Sequence, residues 1–283
     1  DSLAELAPLH NPANVTGIRA AEKIMPKTPQ VAVFDTAFHS TIPPHAFLYA
    51  IPYSVYQRHK VRRYGFHGTS HKYVSQRAAE MMGRDIADLK IISCHLGNGA
   101  SIAAIEGGKS VDTSMGFTPL EGLMMGTRSG DIDPGAIFYI MKKEGLSLHE
   151  IDSMLNKHSG LYGIAGVSDM RDIEKGIEED DKLAKVAFNI YEYRIRKYIG
   201  SYVAAMNGVD AIVFTAGIGE NTPALRTKLI SHLPYLGISM NEENNKKRGE
   251  DIEISTPDSK VKVFVIPTDE ELVIARDTAS LTS

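Results

Sequence analysis

Two short apolar strands in this chain each run directly into a glycine-rich turn. Lys90–Ser101 reads KIISCHLGNGAS, and Asp210–Thr222 reads DAIVFTAGIGENT. A strand that ends at open backbone amides is a common way for proteins to hold phosphate, because such amides favour anions. With strands and helices alternating along the chain, these segments predict an α/β protein that holds a nucleotide from two sides.

The composition is that of an ordinary globular protein and excludes several functional classes. The 283 residues are 43% hydrophobic and 23% charged, with a formal net charge of −4, which shows no bias towards nucleic acid or membrane surfaces. No apolar run approaches the ~20 residues that a membrane helix needs. The single cysteine, Cys94, excludes an internal disulfide framework and reads as a buried, inert thiol. We expect a cytoplasmic protein with neither a nucleic-acid nor a membrane partner.

Caps, breakers and periodicity predict the main elements. The predicted strands are Val31–Phe34, Lys90–Cys94, Ser101–Ile105, Lys109–Asp112 and Val261–Ile266. The predicted helices are a short one from Asn11 that stops before Pro26, Thr69–Met82, Pro134–Lys143, one capped by Ser147 and Glu150, Asp181–Met206, one opened by Pro223 and one from about Asp269. Helical spacing of apolar residues marks Asp181–Met206 as a core helix, and the charged stretch Glu242–Asp251 is expected to be a solvated loop.

Two familiar nucleotide fingerprints nearly match and are rejected. Residues 108–110 (GKS) resemble the end of a P-loop, but the glycine needed five residues earlier is Ala103, and the segment reads as a hairpin turn. Residues 217–219 (GIG) begin like a dinucleotide fingerprint, but Thr222 holds the third glycine position. The HLGNG segment (95–99) fits a hairpin turn as well as a phosphate loop, and both can hold at once. The AGIGEN segment (216–221) is predicted to be a loop before a helix N-terminus.

Several polar residues near these segments are candidates for chemistry. His67 and His71 are four residues apart, but Gly68 places His67 before the helix and no HExxH glutamate exists, so donation to a phosphoryl oxygen fits better than zinc. Asp35 ends a predicted strand, where it serves either chemistry or a turn. Arg128 lies in a long glycine-rich loop, where it either clamps a phosphate or forms an ion pair with Asp131 or Asp133.

Taken together, the motifs resemble the acetate kinase family, part of the actin/sugar-kinase/Hsp70 superfamily. The segments that carry the resemblance are LAPLHNP (6–12), VFDTAFHSTIP (33–43), RYGFHGTSH (63–71), SCHLGNGAS (93–101), DTSMGFTPLEGLMMGTRSGDIDP (112–134), TAGIGENT (215–222) and PTDEELVIA (267–275). The resemblance implies an α/β, actin-like ATPase (ribonuclease H-like) fold, a homodimer, and reversible phosphoryl transfer from ATP to acetate that gives acetyl phosphate and ADP. Propionate kinase of the same family is the nearest alternative.

The resemblance also implies a role for each matching residue. The implied catalytic residues are Asp35, His67, Arg128 and His95. The implied ATP/ADP contacts are His95, Leu96, Gly97, Asn98, Gly99, Asp169, Met170, Arg171, Gly217, Ile218, Gly219, Glu220 and Asn221. Leu9, Phe66 and Pro119 match the apolar pocket for the acetate methyl group. Glu270, or less favourably Glu271, matches a ligand of Mg²⁺, with Mn²⁺ as an alternative ion. The alternative explanation for these two glutamates is that they place negative charge at a helix N-terminus.

The resemblance begins partway into the family pattern. That pattern opens with a strand and an Asn-Ala-Gly-Ser-Ser-Ser-type phosphate loop and later supplies an arginine that pairs with the substrate carboxylate. Neither feature occurs in this sequence. We therefore expect residues 1–38 to be a remnant of an N-terminal domain and 39–275 to form the C-terminal nucleotide-binding and dimerisation domain. Residues 276–283 are expected to end a helix that returns to the first domain. On this view the 283-residue chain alone binds adenine nucleotide weakly and turns over poorly, and a truncated, non-catalytic nucleotide-binding or dimerisation domain is the alternative from a different class.

Overall fold

The computed structural model of the chain describes residues 11–283. They divide into two compact units, one formed by residues 11–34 together with Glu270–Ser283, and the other by Asp35–Asp269. The first unit contains helices α1 (Asn11–Ile24) and α13 (Glu270–Thr282). The predicted helix that stops before Pro26 is confirmed as α1. The assignment of domains from the sequence stays a prediction.

The second unit carries the sheet and the remaining helices. Its strands are β1 (Lys90–Leu96), β2 (Ala100–Glu106), β3 (Lys109–Thr113), β4 (Ala211–Thr215), β5 (Ile252–Glu253) and β6 (Lys262–Val265). Its helices are α2 (Pro44–Phe47), α3 (Tyr53–His59), α4 (Gly68–Met82), α5 (Pro134–Glu144), α6 (Leu148–Lys157), α7 (Gly160–Ala165), α8 (Met170–Glu178), α9 (Lys182–Ala205), α10 (Ala216–Asn221), α11 (Pro223–Ser231) and α12 (Glu242–Asn245).

The six strands form one mixed sheet in the order β3-β2-β1-β4-β6-β5. The chain makes the antiparallel meander β1-β2-β3 first, and then adds β4 and β6 parallel to β1. The carboxyl ends of β1 and β4 meet at the same edge, where His95 pairs with Thr215. Because the two glycine-rich segments follow these ends, the topology brings both to one edge of the sheet, where α/β proteins bind ligands.

Two apolar clusters cover the sheet. One contains buried residues of α9, among them Tyr191, Ile195 and Ile199, and the other contains Val74 and Ala78 of α4. The predicted core helix is therefore confirmed, although its first turns leave Leu183 and Val186 exposed. Among the described residues, no helix combines the length and apolar character needed to cross a membrane.

Three local predictions were wrong. Val31–Phe34 forms no strand, because no described strand pairs with it. The AGIGEN segment is itself the short helix α10, followed directly by α11. The charged stretch after Asn241 contains α12, where Asn245 is only 1% exposed, so part of this stretch is buried structure and not a solvated loop.

Candidate active site

The start of α4 holds Asp35 and His67 together. The His67 backbone N–H donates to Asp35 Oδ2 at 2.6 Å, and the Gly68 N–H donates to the Asp35 carbonyl oxygen at 2.8 Å. A Cβ on Gly68 would lie 2.3 Å from that carbonyl oxygen, so only glycine permits this approach. The predicted helix Thr69–Met82 therefore begins one residue earlier, at Gly68, with His67 as its N-cap. An exposed carboxylate meets this N-terminus, where the dipole favours negative charge.

His67 adopts a left-handed backbone, with φ of 57°. Such a conformation costs a non-glycine residue on the order of 1–3 kcal/mol and is found preferentially at functional sites. Ala216 has the same kind of backbone, with φ of 63°, at the start of α10. Strain is therefore stored at the entries of α4 and α10.

His67, Arg128 and the HLGNG turn converge on one space. The position that a Cβ on Gly99 would occupy lies 3.5 Å from His67 Nε2 and 3.6 Å from Arg128 Nη1. The rings of His67 and His95 are stacked, with centroids 4.1 Å apart. A neutral imidazole and a permanent cation thus face the open side of a glycine, an arrangement suited to an anionic group that develops charge.

The histidines here are uncharged at neutral pH. Burial lowers the pKa of His95 to about 3. Burial also lowers the pKa of His67, and the positive charge of Arg128 adds to this effect while Asp35 opposes it. The pKa of the fully buried His71 is held well below its ordinary value for the same reason. Neutral imidazoles can donate one hydrogen bond to a phosphoryl oxygen without adding charge.

Serine hydroxyls fix these buried rings. His95 Nδ1 is 2.8 Å from Ser70 Oγ, and the His71 ring lies between Ser93 Oγ at 2.8 Å and Ser101 Oγ at 2.7 Å. His71 therefore ties α4 to β1 and β2, which is a structural role and not metal ligation.

A further buried histidine, His39, was missed by the sequence reasoning. Its Nε2–H donates to the Phe66 carbonyl oxygen at 2.9 Å, so its Nδ1 accepts from the Ser110 hydroxyl at 2.8 Å. His39 thereby fixes the backbone of Phe66, next to His67, against β3. It lies in the VFDTAFHSTIP motif, and the only available signal was that position, because burial depends on the tertiary fold.

The glycine-rich loop 115–134 is shaped by a half-buried polar network. Arg63 donates to the carbonyl oxygens of Thr113, Ser114 and Met115 at 2.8, 3.1 and 3.2 Å and forms an ion pair with Glu121 at 2.6 Å. The Tyr49 hydroxyl also donates to Glu121 and accepts from the Phe117 N–H. These contacts fix the backbone on both sides of residues 117–121.

Arg128 is held by that loop and not by the acids considered for it. Its Nη1 donates to the Pro119 carbonyl oxygen at 3.1 Å. Asp131 instead accepts from the Gly122 N–H and the Tyr198 hydroxyl, and Asp133 caps α5 through the Gly135 N–H. The alternative in which Arg128 forms an ion pair with Asp131 or Asp133 is therefore wrong. Neither acid neutralises the guanidinium, which can bind an anion.

A cavity of about 680 Å³ gathers most of the predicted nucleotide contacts. Those that line it are Gly97, Asn98, Asp169, Met170, Arg171, Gly217, Ile218 and Asn221. Asp169 caps α8 and binds the Arg171 guanidinium at 2.6 Å, which holds the pKa of the Asp169 carboxyl near 2. The predicted contacts of three separate chain segments thus meet at one cavity.

The other predicted contacts lie elsewhere. Leu96 and Gly219 are buried in the protein, and Glu220 directs its carboxylate to the backbone N–H groups of Ala216 and Thr268. The cavity also has lining residues that the sequence reasoning missed, which are Ser168, Glu174, Thr222 and Arg248. Leu9 lies outside the described residues. Glu270 begins α13 and Glu271 follows it.

One carboxylate near His67 suits a divalent cation. Asp35 offers an exposed carboxylate, the oxygen ligand that Mg²⁺ and Mn²⁺ prefer when they are held partly through water. The imidazoles of His67 and His95 are not the ligands that Mg²⁺ selects. Asp35 therefore fits as a residue that would hold the ion, which would supply positive charge to phosphate oxygens.

Known proteins match the chain over nearly its whole length. The model of the acetokinase family matches residues 1–276. The acetate kinase of Halothermothrix orenii is 60% identical over 282 residues, which is 99% of this chain and 71% of the relative; the acetate kinase of Thermotoga maritima is 60% identical over 285 residues, again 99% and 71%.

Solved structures agree with the sequence matches. The crystal structure of Porphyromonas gingivalis acetate kinase has a TM-score of 0.97 and 51% identity, and the match covers all of this chain and 71% of that one. A propionate kinase from Francisella tularensis has a TM-score of 0.91 and 49% identity, covering 98% and 71%. The expected actin-like ATPase fold is confirmed by these neighbours together with the mixed six-stranded sheet. The chain belongs to the acetokinase family.

Proposed function

We propose that this chain is an acetate kinase, which reversibly transfers the terminal phosphoryl group of ATP to acetate and yields acetyl phosphate and ADP. The observation that carries the proposal is the convergence of His67 Nε2 and Arg128 Nη1 on the space beside Gly99. Gly97 and Asn98 of the same turn line the cavity assigned to the nucleotide. One short turn therefore joins a nucleotide site to a pair of phosphoryl-stabilising donors.

Phosphoryl transfer to acetate depends on positioning and charge stabilisation more than on a general base. Phosphoryl transfer passes through a loose transition state, so a fixed cation and a neutral donor stabilise the charge on the transferring group. Acetate is already ionised at neutral pH, so no group has to remove a proton from it. Asp35 then acts by orienting the His67 backbone, and its carboxylate would help to hold Mg²⁺. A pH–rate profile with an essential base titrating in kcat would count against this assignment.

The proposal includes a homodimer in the cytoplasm, with acetate as the small-molecule partner. Large apolar side chains on two helices support a partner surface, since Phe138 and Tyr139 of α5 and Leu183 of α9 are exposed. Sedimentation of the purified protein tests the dimer.

Trapping the product as its hydroxamate tests the proposed activity. The natural protein is incubated with ATP, MgCl₂ and acetate, and hydroxylamine converts acetyl phosphate into acetohydroxamate. Product that requires both ATP and acetate is expected. Hydrolysis of ATP without acetohydroxamate would sink the proposal.

Propionate kinase is the second candidate, favoured by the match to the Francisella tularensis structure. Phe66 and Pro119 would line a small apolar pocket, and such a pocket distinguishes one methylene by only ~1–3 kcal/mol. Slow turnover of propionate is therefore expected in an acetate kinase. Equal kcat/KM for the two acids would move the assignment to propionate kinase.

A further inference from the structure

Arg226 of α11 is a fully buried arginine whose hydrogen bonds go to neutral oxygens. Its Nη1 donates to the carbonyl oxygens of Gly219 and Glu220 at 2.6 and 3.0 Å. Its Nε donates to Asn245 Oδ1 at 2.8 Å, and its Nη2 donates to the Asn245 carbonyl oxygen at 2.5 Å. Burying a guanidinium costs desolvation free energy, and packing alone does not offset this cost. The hydrogen bonds of Arg226 are therefore expected to have a specific role.

On one side, Arg226 completes the end of α10. Gly219 and Glu220 lie in the last turn of this six-residue helix, where carbonyl oxygens lack helical partners. A cation at a helix C-terminus satisfies these oxygens and complements the dipole. Gly217, Ile218 and Asn221 of the same helix line the cavity, so the guanidinium fixes one cavity wall from behind.

On the other side, Arg226 holds α12. Asn245 is buried and uses its own amide to donate to the Pro223 carbonyl oxygen at 3.2 Å and to Thr227 Oγ1 at 2.9 Å. Arg248, three residues further along, lines the cavity. The segment that begins as a charged, surface-like stretch is therefore anchored at Asn245 just before it reaches the cavity.

We propose that Arg226 is the positioning residue of the nucleotide cavity, because its guanidinium joins the α10 wall to the segment that carries Arg248. This inference rests on the proposed function, in which the cavity takes the nucleotide. Burial lowers the pKa of Arg226 to about 10, so the guanidinium stays charged at neutral pH. Its fork, with donors in fixed directions, is what allows it to reach two segments at once, which a lysine cannot do.

Titration of ADP by calorimetry tests this role in the natural protein. Arg226→Lys keeps the charge and loses the fork, and should raise the Kd for ADP roughly tenfold, since small misplacements of binding groups are costly. Asn245→Ala leaves the bonds to Gly219 and Glu220 in place and removes the side-chain bonds of Asn245, so that only the bond from Arg226 Nη2 to its backbone carbonyl oxygen still holds α12. This variant should raise the Kd by a smaller factor. Asn156→Ala is the matched control, because the Asn156 amide donates to Asp152 of the same helix, α6, and lies outside the cavity lining.

A stability control separates positioning from loss of fold. Ile151→Ala removes a buried side chain of α6 and should lower Tm while the Kd for ADP stays within about twofold. Arg226→Lys should also raise KM for ATP while KM for acetate stays within about twofold. If Arg226→Lys does not fold, the Kd of Asn245→Ala decides.

The outcomes distinguish the inference from the function on which it rests. The inference is overturned if both variants bind ADP as the wild type does, or lose no more affinity than Ile151→Ala. If the inference is overturned in this way but the wild-type protein still forms acetyl phosphate, the proposed function is unaffected. Wild-type protein that binds no ADP overturns both.

Discussion

Asp35 Oδ2 accepts a hydrogen bond from the backbone N–H of His67 at 2.6 Å. The acidic side chain of the VFDTAFHSTIP motif thus fixes the strained backbone of the histidine in the RYGFHGTSH motif, with His67 at φ of 57°. This contact makes Asp35 a structural support of the site in addition to its proposed place beside Mg²⁺. The two roles respond differently to substitution.

Replacing Asp35 separates charge from hydrogen bonding. Asp35→Asn keeps an oxygen that can accept from the His67 N–H and should leave the free energy of unfolding nearly unchanged. Asp35→Ala loses the acceptor and should cost ~1 kcal/mol, as removal of a helix N-terminal acceptor does. Both should lower kcat strongly, because both remove the carboxylate. Urea unfolding and acetohydroxamate assays measure the two effects, and equal stabilities of the two variants would refute the support role.

The buried histidines should make the protein less stable in mild acid. Burial lowers the pKa of His39 to about 4, so the unfolded chain binds more protons than the folded one between about pH 6.5 and 4. Stability is therefore full above about pH 6.5 and falls as the pH drops towards 4. His39 alone contributes on the order of 3 kcal/mol to this loss, at 1.36 kcal/mol for each pKa unit.

His39→Gln should flatten that pH dependence, since glutamine can still donate to the Phe66 carbonyl oxygen and takes no proton. Chemical unfolding at pH 7, 6, 5 and 4 measures the slope. The exposed His149→Gln is the matched control and should keep the wild-type slope. A His39→Gln protein that lost stability as steeply as the wild type would contradict the prediction.

The network around Glu121 should act on acetate more than on the nucleotide. Tyr49→Phe removes the hydroxyl that donates to Glu121 and accepts from the Phe117 N–H, two residues before Pro119. We expect a stability loss of about 1 kcal/mol. Because Pro119 is a proposed wall of the acetate pocket, its displacement should lower kcat/KM for acetate roughly tenfold while KM for ATP is unchanged.

Steady-state kinetics with each substrate varied in turn measures this separation. Tyr235→Phe is the control, since the Tyr235 side chain is exposed. A Tyr49→Phe protein in which KM for ATP rises as much as KM for acetate would show a general loosening and not a local one.

Local chemistry in the sequence predicted much of this structure. The Ser147–Glu150 capping box and the hairpin turn at residues 107–108 both form as their residue types indicate. The same is true of the glycine-rich segments, which meet at one sheet edge because parallel strands deliver them there. These features depend on contacts within a few residues or on the order of strands.

Long-range burial was not predictable in the same way. Asn245 stands in a run of charged residues and still becomes buried, because Arg226 reaches it from another helix. Val31–Phe34 has the composition of a strand but finds no partner among the described strands. His39 looks like any polar residue in a motif, and only the fold places it between Ser110 and Phe66.

Formation of acetyl phosphate by the natural protein and by an Arg128→Gln variant tests the central claim most directly. The wild type should give acetohydroxamate that depends on ATP, Mg²⁺ and acetate. Arg128→Gln should lower kcat by roughly 10²–10³-fold or more, as loss of a transition-state donor does, with little change in the Kd for ADP. Absence of acetohydroxamate with the wild type, or an Arg128→Gln rate within a few-fold of it, would contradict the account.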